Sequence, residues 1–224
     1  MIYMVPTKRG VGVQIWGTYD DLDFFYDVIT DFFLGDDKPN YPGAENRLKL
    51  LSSFSYEIRK AYEGARLKRP TGHFSMEDQQ YLGIQISWVH FLFTLAGLKY
   101  AMNYQGMTKM DVALILQLEY WLEKAMRSYD PKGAEQLVDY INGGLYGGND
   151  FIYHYMRSTN ADFIMLGGGK RAFRKLPELL KKGVVGNDEY HDYKDVLMNE
   201  AKRLNCTIDN LEIMDDHVNY EMPW

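Results

Sequence analysis

Residues 166–183 read LGGGKRAFRKLPELLKKG, a triple glycine followed by a basic segment with an apolar stripe. Glycine leaves backbone N–H groups open to close approach, and a helix start adds the positive end of its dipole. Gly168, Gly169, Lys170, Arg171 and Arg174 therefore have the chemistry of an anion site for a small phosphorylated or carboxylate ligand near Gly167–Arg174. A nucleoside-triphosphate loop needs G-x-x-x-x-G-K and then Ser or Thr. Arg171 stands where that hydroxyl would hold magnesium, and the first glycine is missing, so this signature fails. The same residues also read as a hinge at Gly167–Gly169 and a basic helix, with Phe173, Leu176, Leu179 and Leu180 facing a core and Pro177 opening a further segment.

Charge is segregated along the chain. Residues 166–183 hold six basic groups against Glu178, a net of +5, which leaves −11 on the remainder of a 224-residue chain whose formal charge is −6. Residues 18–37 hold seven aspartates and no lysine or arginine. Asp23, Asp27 and Asp31 fall at four-residue spacing on one helix face, where like charges repel by a few tenths of a kcal/mol per pair, about 0.2–0.5. Such a stripe is either a solvated face or a surface for something basic: the 170–182 segment of the same or a neighbouring subunit, or a separate protein partner.

Other chemistry finds less to work with. Asp188 with His191, and Asp150 with His154, have spacings that share a helix face, but no Glu-x-x-His occurs and no metal or other cofactor is expected. There is no G-x-S-x-G, Cys-x-x-Cys, kinase or dinucleotide signature, so no catalytic residue is assigned. Cys206, the single cysteine, reads as a half-buried small hydrophobe. His90, inside an apolar run, reads as a hydrogen-bonded core histidine, or as a general base if it borders a pocket. The acidic balance disfavours nucleic acid. The apolar run from Trp88 to Leu98 is too short for a bilayer and is bounded by Lys99, so no membrane span is expected. With no secretory signal pattern at the start, the cytoplasm is the expected location.

The elements that position these groups follow from periodicity. Val11, Val13 and Ile15 alternate after the turn PTKRG and predict a hairpin with strands at 2–5 and 11–16. Thr18 caps a helix with Asp21 three residues on, and Leu22, Phe25, Tyr26, Ile29, Phe32 and Phe33 form its apolar stripe. A second helix is predicted from about 44 to 67 through Leu51, Phe54, Ile58, Ala61 and Ala65. The stretch 81–87 alternates again, and Gly83-Ile84-Gln85-Ile86 echoes Gly12-Val13-Gln14-Ile15, a hint that both strands share one sheet. Thr108 and Asp111 start another helix, Asp130-Pro131 ends it and starts the next, and the glycine pairs in NGGLYGGND fit tight helix connections. Asn187 caps a last helix carrying Tyr190, Tyr193, Leu197, Ala201 and Leu204 on one side. The acidic tail reads as a solvated end that Val218 and Trp224 would dock.

The segments TKRGVGVQIWGTYDDLDFFYDVI, YEIRKAYEG and GIQISWVHFLF resemble an uncharacterised family of bacterial proteins of unknown function. That resemblance implies a bacterial, cytoplasmic α+β protein and hands over no catalytic residue. The expectation is one α+β domain over residues 1–224, mainly helical with a small antiparallel sheet. Its expected role is a non-catalytic binding or regulatory protein acting through protein contacts or self-association. The alternative is an enzyme or sensor for the anionic ligand described above.

Overall fold

The computed structural model describes residues 1–34, 43–70, 80–104, 107–212 and 224, with the side chains of 32–34 left out. Four strands, β1 (Tyr3–Pro6), β2 (Gly12–Gly17), β3 (Leu67–Pro70) and β4 (Gln80–Ser87), form one antiparallel sheet in the order β1-β2-β4-β3. Eight α-helices stand among the described residues: α1 (Tyr19–Leu34), α2 (Ala44–Tyr62), α3 (Trp88–Ala101), α4 (Lys109–Tyr129), α5 (Pro131–Glu135), α6 (Ile152–Met165), α7 (Gly169–Leu180) and α8 (Asp188–Leu204). The fold is α+β and mainly helical, and most of its buried apolar residues form one cluster from Ile2 to Leu197, with Ala161 and Ile164 apart from it.

The echo between the two glycine-led strands is a register. Val13 pairs with Ile86, Gln14 with Gln85, Ile15 with Ile84 and Trp16 with Gly83. A Cβ at Gly83 would lie 2.5 Å from the Ile15 carbonyl and 2.7 Å from the Trp16 ring, so this glycine leaves the room that Trp16 fills. Val13, Ile15, Ile84 and Ile86 are buried on one face. On the other face Trp16 joins Tyr3 and Tyr81 around the Arg69 guanidinium, while Trp121 of α4 packs edge-on against Tyr3.

β4 passes into α3 without a loop. Ser87 ends the strand and caps the helix, its hydroxyl accepting from the His90 N–H. Trp88 is fully buried, donates its indole N–H to the Gly10 carbonyl at 3.0 Å and bonds by its backbone N–H to Val11. The turn it grips is closed by Thr7, whose hydroxyl accepts from the Val11 and Gly12 N–H groups. Ten of the fourteen residues of α3 are buried, which is why its sequence is apolar on all sides instead of one stripe.

Two expectations are corrected. α2 ends at Tyr62, not Leu67: Gly64 adopts φ +77°, Ala65 N–H bonds to the Lys60 carbonyl and Gly64 N–H to that of Ala61. This Schellman stop turns the chain into the edge strand β3, which periodicity alone does not reveal. Pro177 lies inside α7 and does not open a new segment. Burial of Ala172, Phe173, Leu176 and Leu180 offsets a proline cost of about 3 kcal/mol. The glycine pairs lie in the connection from α5 to α6, where Gly147 and Gly148 press the chain onto α3: a Cβ at Gly147 would sit 2.1 Å from the Ala96 carbonyl and one at Gly148 2.6 Å from the Tyr100 ring. Elsewhere the Thr108–Asp111 capping box forms in both directions, and Leu204 is exposed where the α8 stripe predicted burial. Trp224 packs against the core, whereas Val218 and the acids at 215, 216 and 221 lie outside the described residues.

Truncating Trp88 to alanine is expected to cost about 3–5 kcal/mol, a large part of a typical folding free energy. Tyr120→Ala, at a side chain 58 % exposed, should change stability by no more than about 0.5 kcal/mol. Chemical denaturation of both variants checks the contrast.

Candidate functional site

At the start of α7 the three glycines all have positive φ, +76°, +79° and +86°, values that disfavour any side chain. Gly168 sits against Val11 and the Arg9 carbonyl, and that carbonyl accepts the Gly169 N–H at 2.7 Å and the Tyr129 hydroxyl at 3.2 Å. The glycines thus lock the α7 entrance onto the β1–β2 turn, and one of the two N–H groups assigned to an anion is already donated. Arg174 is also engaged. Its guanidinium grips Asp130 through Nε at 2.6 Å and Nη2 at 2.9 Å, pinning α7 to the α4–α5 junction. That fork, with a smaller pull from Lys170, holds the buried Asp130 carboxyl below the ordinary carboxylate pKa. Lys170 and Arg171 are exposed and make no ion pair among the described residues.

The acidic helix is arranged differently from its four-residue spacing. Asp23 is half-buried beside Tyr62 of α2, where Tyr19 and Tyr26 also pack edge-on. Asp27 and Asp31 are exposed, and with Asp20 and Phe24 they line the outer face of α1. Among the described residues Asp23, Asp27 and Asp31 have no ion-pair partner. Near them lies a mainly apolar groove of about 300 Å³ between α1 and α4, walled by Phe24, Met110, Ala113, Leu114 and Met1–Ile2, with Asp21, bonded to the Met1 ammonium, and Gln117 as its polar lining. Met1, Phe24 and Met110 are 75 %, 39 % and 63 % exposed, an apolar group left open to solvent. α1 packs on α2 and the sheet while α7 packs on α5 and α6, so the acidic and basic helices are not each other's neighbours within the chain.

A second hollow, about 570 Å³, opens between α2, α6 and the segment 209–212. Its formal charges cancel, with Lys49 and Arg157 against Asp209 and Glu212, so its lining does not select an anion. Ser53 on its wall lies 3.3 Å from His90 Nε2 while donating to the Leu50 carbonyl at 2.8 Å. Burial pushes His90 down to a pKa of about 4, so the ring is neutral at pH 7. Ser53 sits in mid-helix, where the backbone N–H groups are used by the helix itself and so offer no oxyanion hole to the pair. Nearby, His154 is 2 % exposed, neither ring nitrogen has a hydrogen bond of good geometry among the described residues, and burial lowers its pKa against a smaller opposing pull from the Ile208 backbone. Asp150 packs against Gly43, and no group of three His, Cys, Asp or Glu gathers to hold a metal among the described residues. The hollow is built from residues 160 positions apart and has no motif by which the sequence would show it. No helix among the described residues is long and apolar enough to cross a membrane.

Both histidines have folded pKa values below the unfolded value of 6.5. Their contribution is full above that pH and is lost as the pH falls, for His90 toward about 4, because the unfolded chain binds the extra protons. Melting temperature is therefore expected to drop over this window, and His90→Gln should flatten the drop; an unchanged slope would contradict the assignment.

The family model of a domain of unknown function, DUF6904, matches residues 2–224, well beyond the first-half segments that carry the resemblance. No curated protein and no solved structure matches the chain.

Proposed function

The chain belongs to the DUF6904 family, whose description assigns no activity, and we propose that it is a non-catalytic cytoplasmic binding protein working through protein contacts. The observation that carries this reading is the mainly apolar α1–α4 groove, with exposed Phe24 and Met110 in its lining, together with the exposed Asp20, Asp27 and Asp31 on the outer face of α1. An exposed ion pair is worth about 0.2–1 kcal/mol, so the carboxylates alone select a partner without holding it. Burial of the groove at about 25 cal/mol per Å² supplies the affinity, and the charges supply the preference. The partner chemistry that fits is an amphipathic segment with basic residues beside its apolar ones.

Calorimetry with a synthetic Leu/Lys helical peptide is expected to show binding that weakens as salt rises, with a Leu/Glu peptide of equal length giving none. Asp27→Lys with Asp31→Lys should abolish the difference. Equal binding of both peptides, or of neither, would overturn the reading.

A second reading is favoured by one observation: Lys170 and Arg171 stand exposed near the Gly168 backbone, with no ion pair among the described residues. On it, the chain is an enzyme or sensor for a small phosphorylated or carboxylate ligand near Gly167–Arg174. Inorganic phosphate should then raise the melting temperature of the native protein and not of the Lys170→Ala, Arg171→Ala variant. No shift in either would remove this alternative.

A further inference from the structure

We infer that the partner of the α1–α4 groove is a second copy of this chain, which presents the basic face of α7; this rests on the protein-contact reading above. The exposed face of α7 carries Lys170, Arg171 and Lys175, and the exposed Met165 and Leu166 stand just before it, 65 % and 38 % open. Opposite it, Phe24 and Met110 of the groove supply apolar groups, and Asp27 and Asp31 on the outer face of α1 supply charges of the other sign.

Spacing agrees as well as sign. Arg171 and Lys175 are four residues apart, as are Asp27 and Asp31, and at 1.5 Å per residue both pairs are separated by about 6 Å along their helices. With α7 of one copy beside α1 of the other and running in the same direction, Arg171 meets Asp27 and Lys175 meets Asp31. Neither pair has a competing ion-pair partner among the described residues, whereas Arg174 and Lys182, which do not take part, are held by Asp130 and Asp162. Among the described residues α1 and α7 pack on different elements, so this contact is not made within one copy.

The two surfaces differ, so the contact is heterologous: copies join head to tail, into a ring if the rotation closes and into a filament if it does not. The charges make assembly sensitive to salt, since the screening length falls from about 10 Å at 0.1 M to about 3 Å at 1 M.

Sedimentation velocity with two charge-reversed variants tests this. Asp27→Lys/Asp31→Lys leaves two basic surfaces and Arg171→Glu/Lys175→Glu leaves two acidic ones, all at exposed positions, and circular dichroism checks that both fold. The wild type should assemble with rising concentration at low salt, each variant alone should be monomeric, and a one-to-one mixture should assemble again. Variants that assemble like the wild type, or a mixture that stays monomeric, would overturn the proposal. A monomeric wild type that still binds the Leu/Lys peptide would overturn self-association and leave the groove reading standing; a monomeric wild type that ignores the peptide would end both.

Discussion

Everything in this molecule is arranged around the burial of α3. A helix with ten buried residues must be covered on every side, and α2, α4 and α6 together with the strand ends and the 140–148 segment do the covering. Its first residue ties it to the sheet: Trp88 holds the β1–β2 turn by two hydrogen bonds, and Phe173 of α7 lies against the Trp88 ring at 5.5 Å. One buried side chain thus joins strand, turn and basic helix. The exposed faces of α1 and α7 are therefore fixed on a packed frame, and a fixed frame makes a match of charge spacing meaningful, because little order is lost when another surface docks.

The frame also explains why the glycine cluster is at the α7 entrance. Gly168 and Gly169 abut Arg9 and Val11, on the same turn that Trp88 grips, so positive φ here serves close packing between a loop and a hairpin. Arg174 has a parallel task in clamping Asp130. Residues that look like anion chemistry in the sequence are in good part assembly devices for the core. What they leave outside is a basic face with its charges directed to solvent.

Legibility from the sequence followed the range of the physics. Local rules were visible: Thr108–Asp111 as a capping box, Pro131 as a first helical residue, and the Gly-Val-Gln-Ile echo as a shared sheet, because capping, proline and alternation act over a few residues. The edge strand β3 was hidden behind a helical stripe that Ala65 and Leu67 extend by coincidence, and only Gly64 marks the stop. Pro177 misled in the opposite sense, since tertiary burial of Phe173, Leu176 and Leu180 overrides a local penalty. The acidic stripe was half legible. Asp27 and Asp31 are exposed as spacing suggests, but Asp23 turns to Tyr62, and the groove beside Phe24 depends on α4, some eighty residues away. Buried Arg47, bonded to the Gly147 and Asn149 carbonyls, gave no sequence signal at all.

The central claim is that the working surfaces are the α1–α4 groove and the basic face of α7, and hydrogen exchange at low and high protein concentration addresses it most directly. The account predicts that amides in α1 and at the start of α7 gain protection together as concentration rises, while α2, α6 and the 208–212 segment around the second hollow do not change. Protection that ignores concentration, or that appears around the hollow instead, would contradict it.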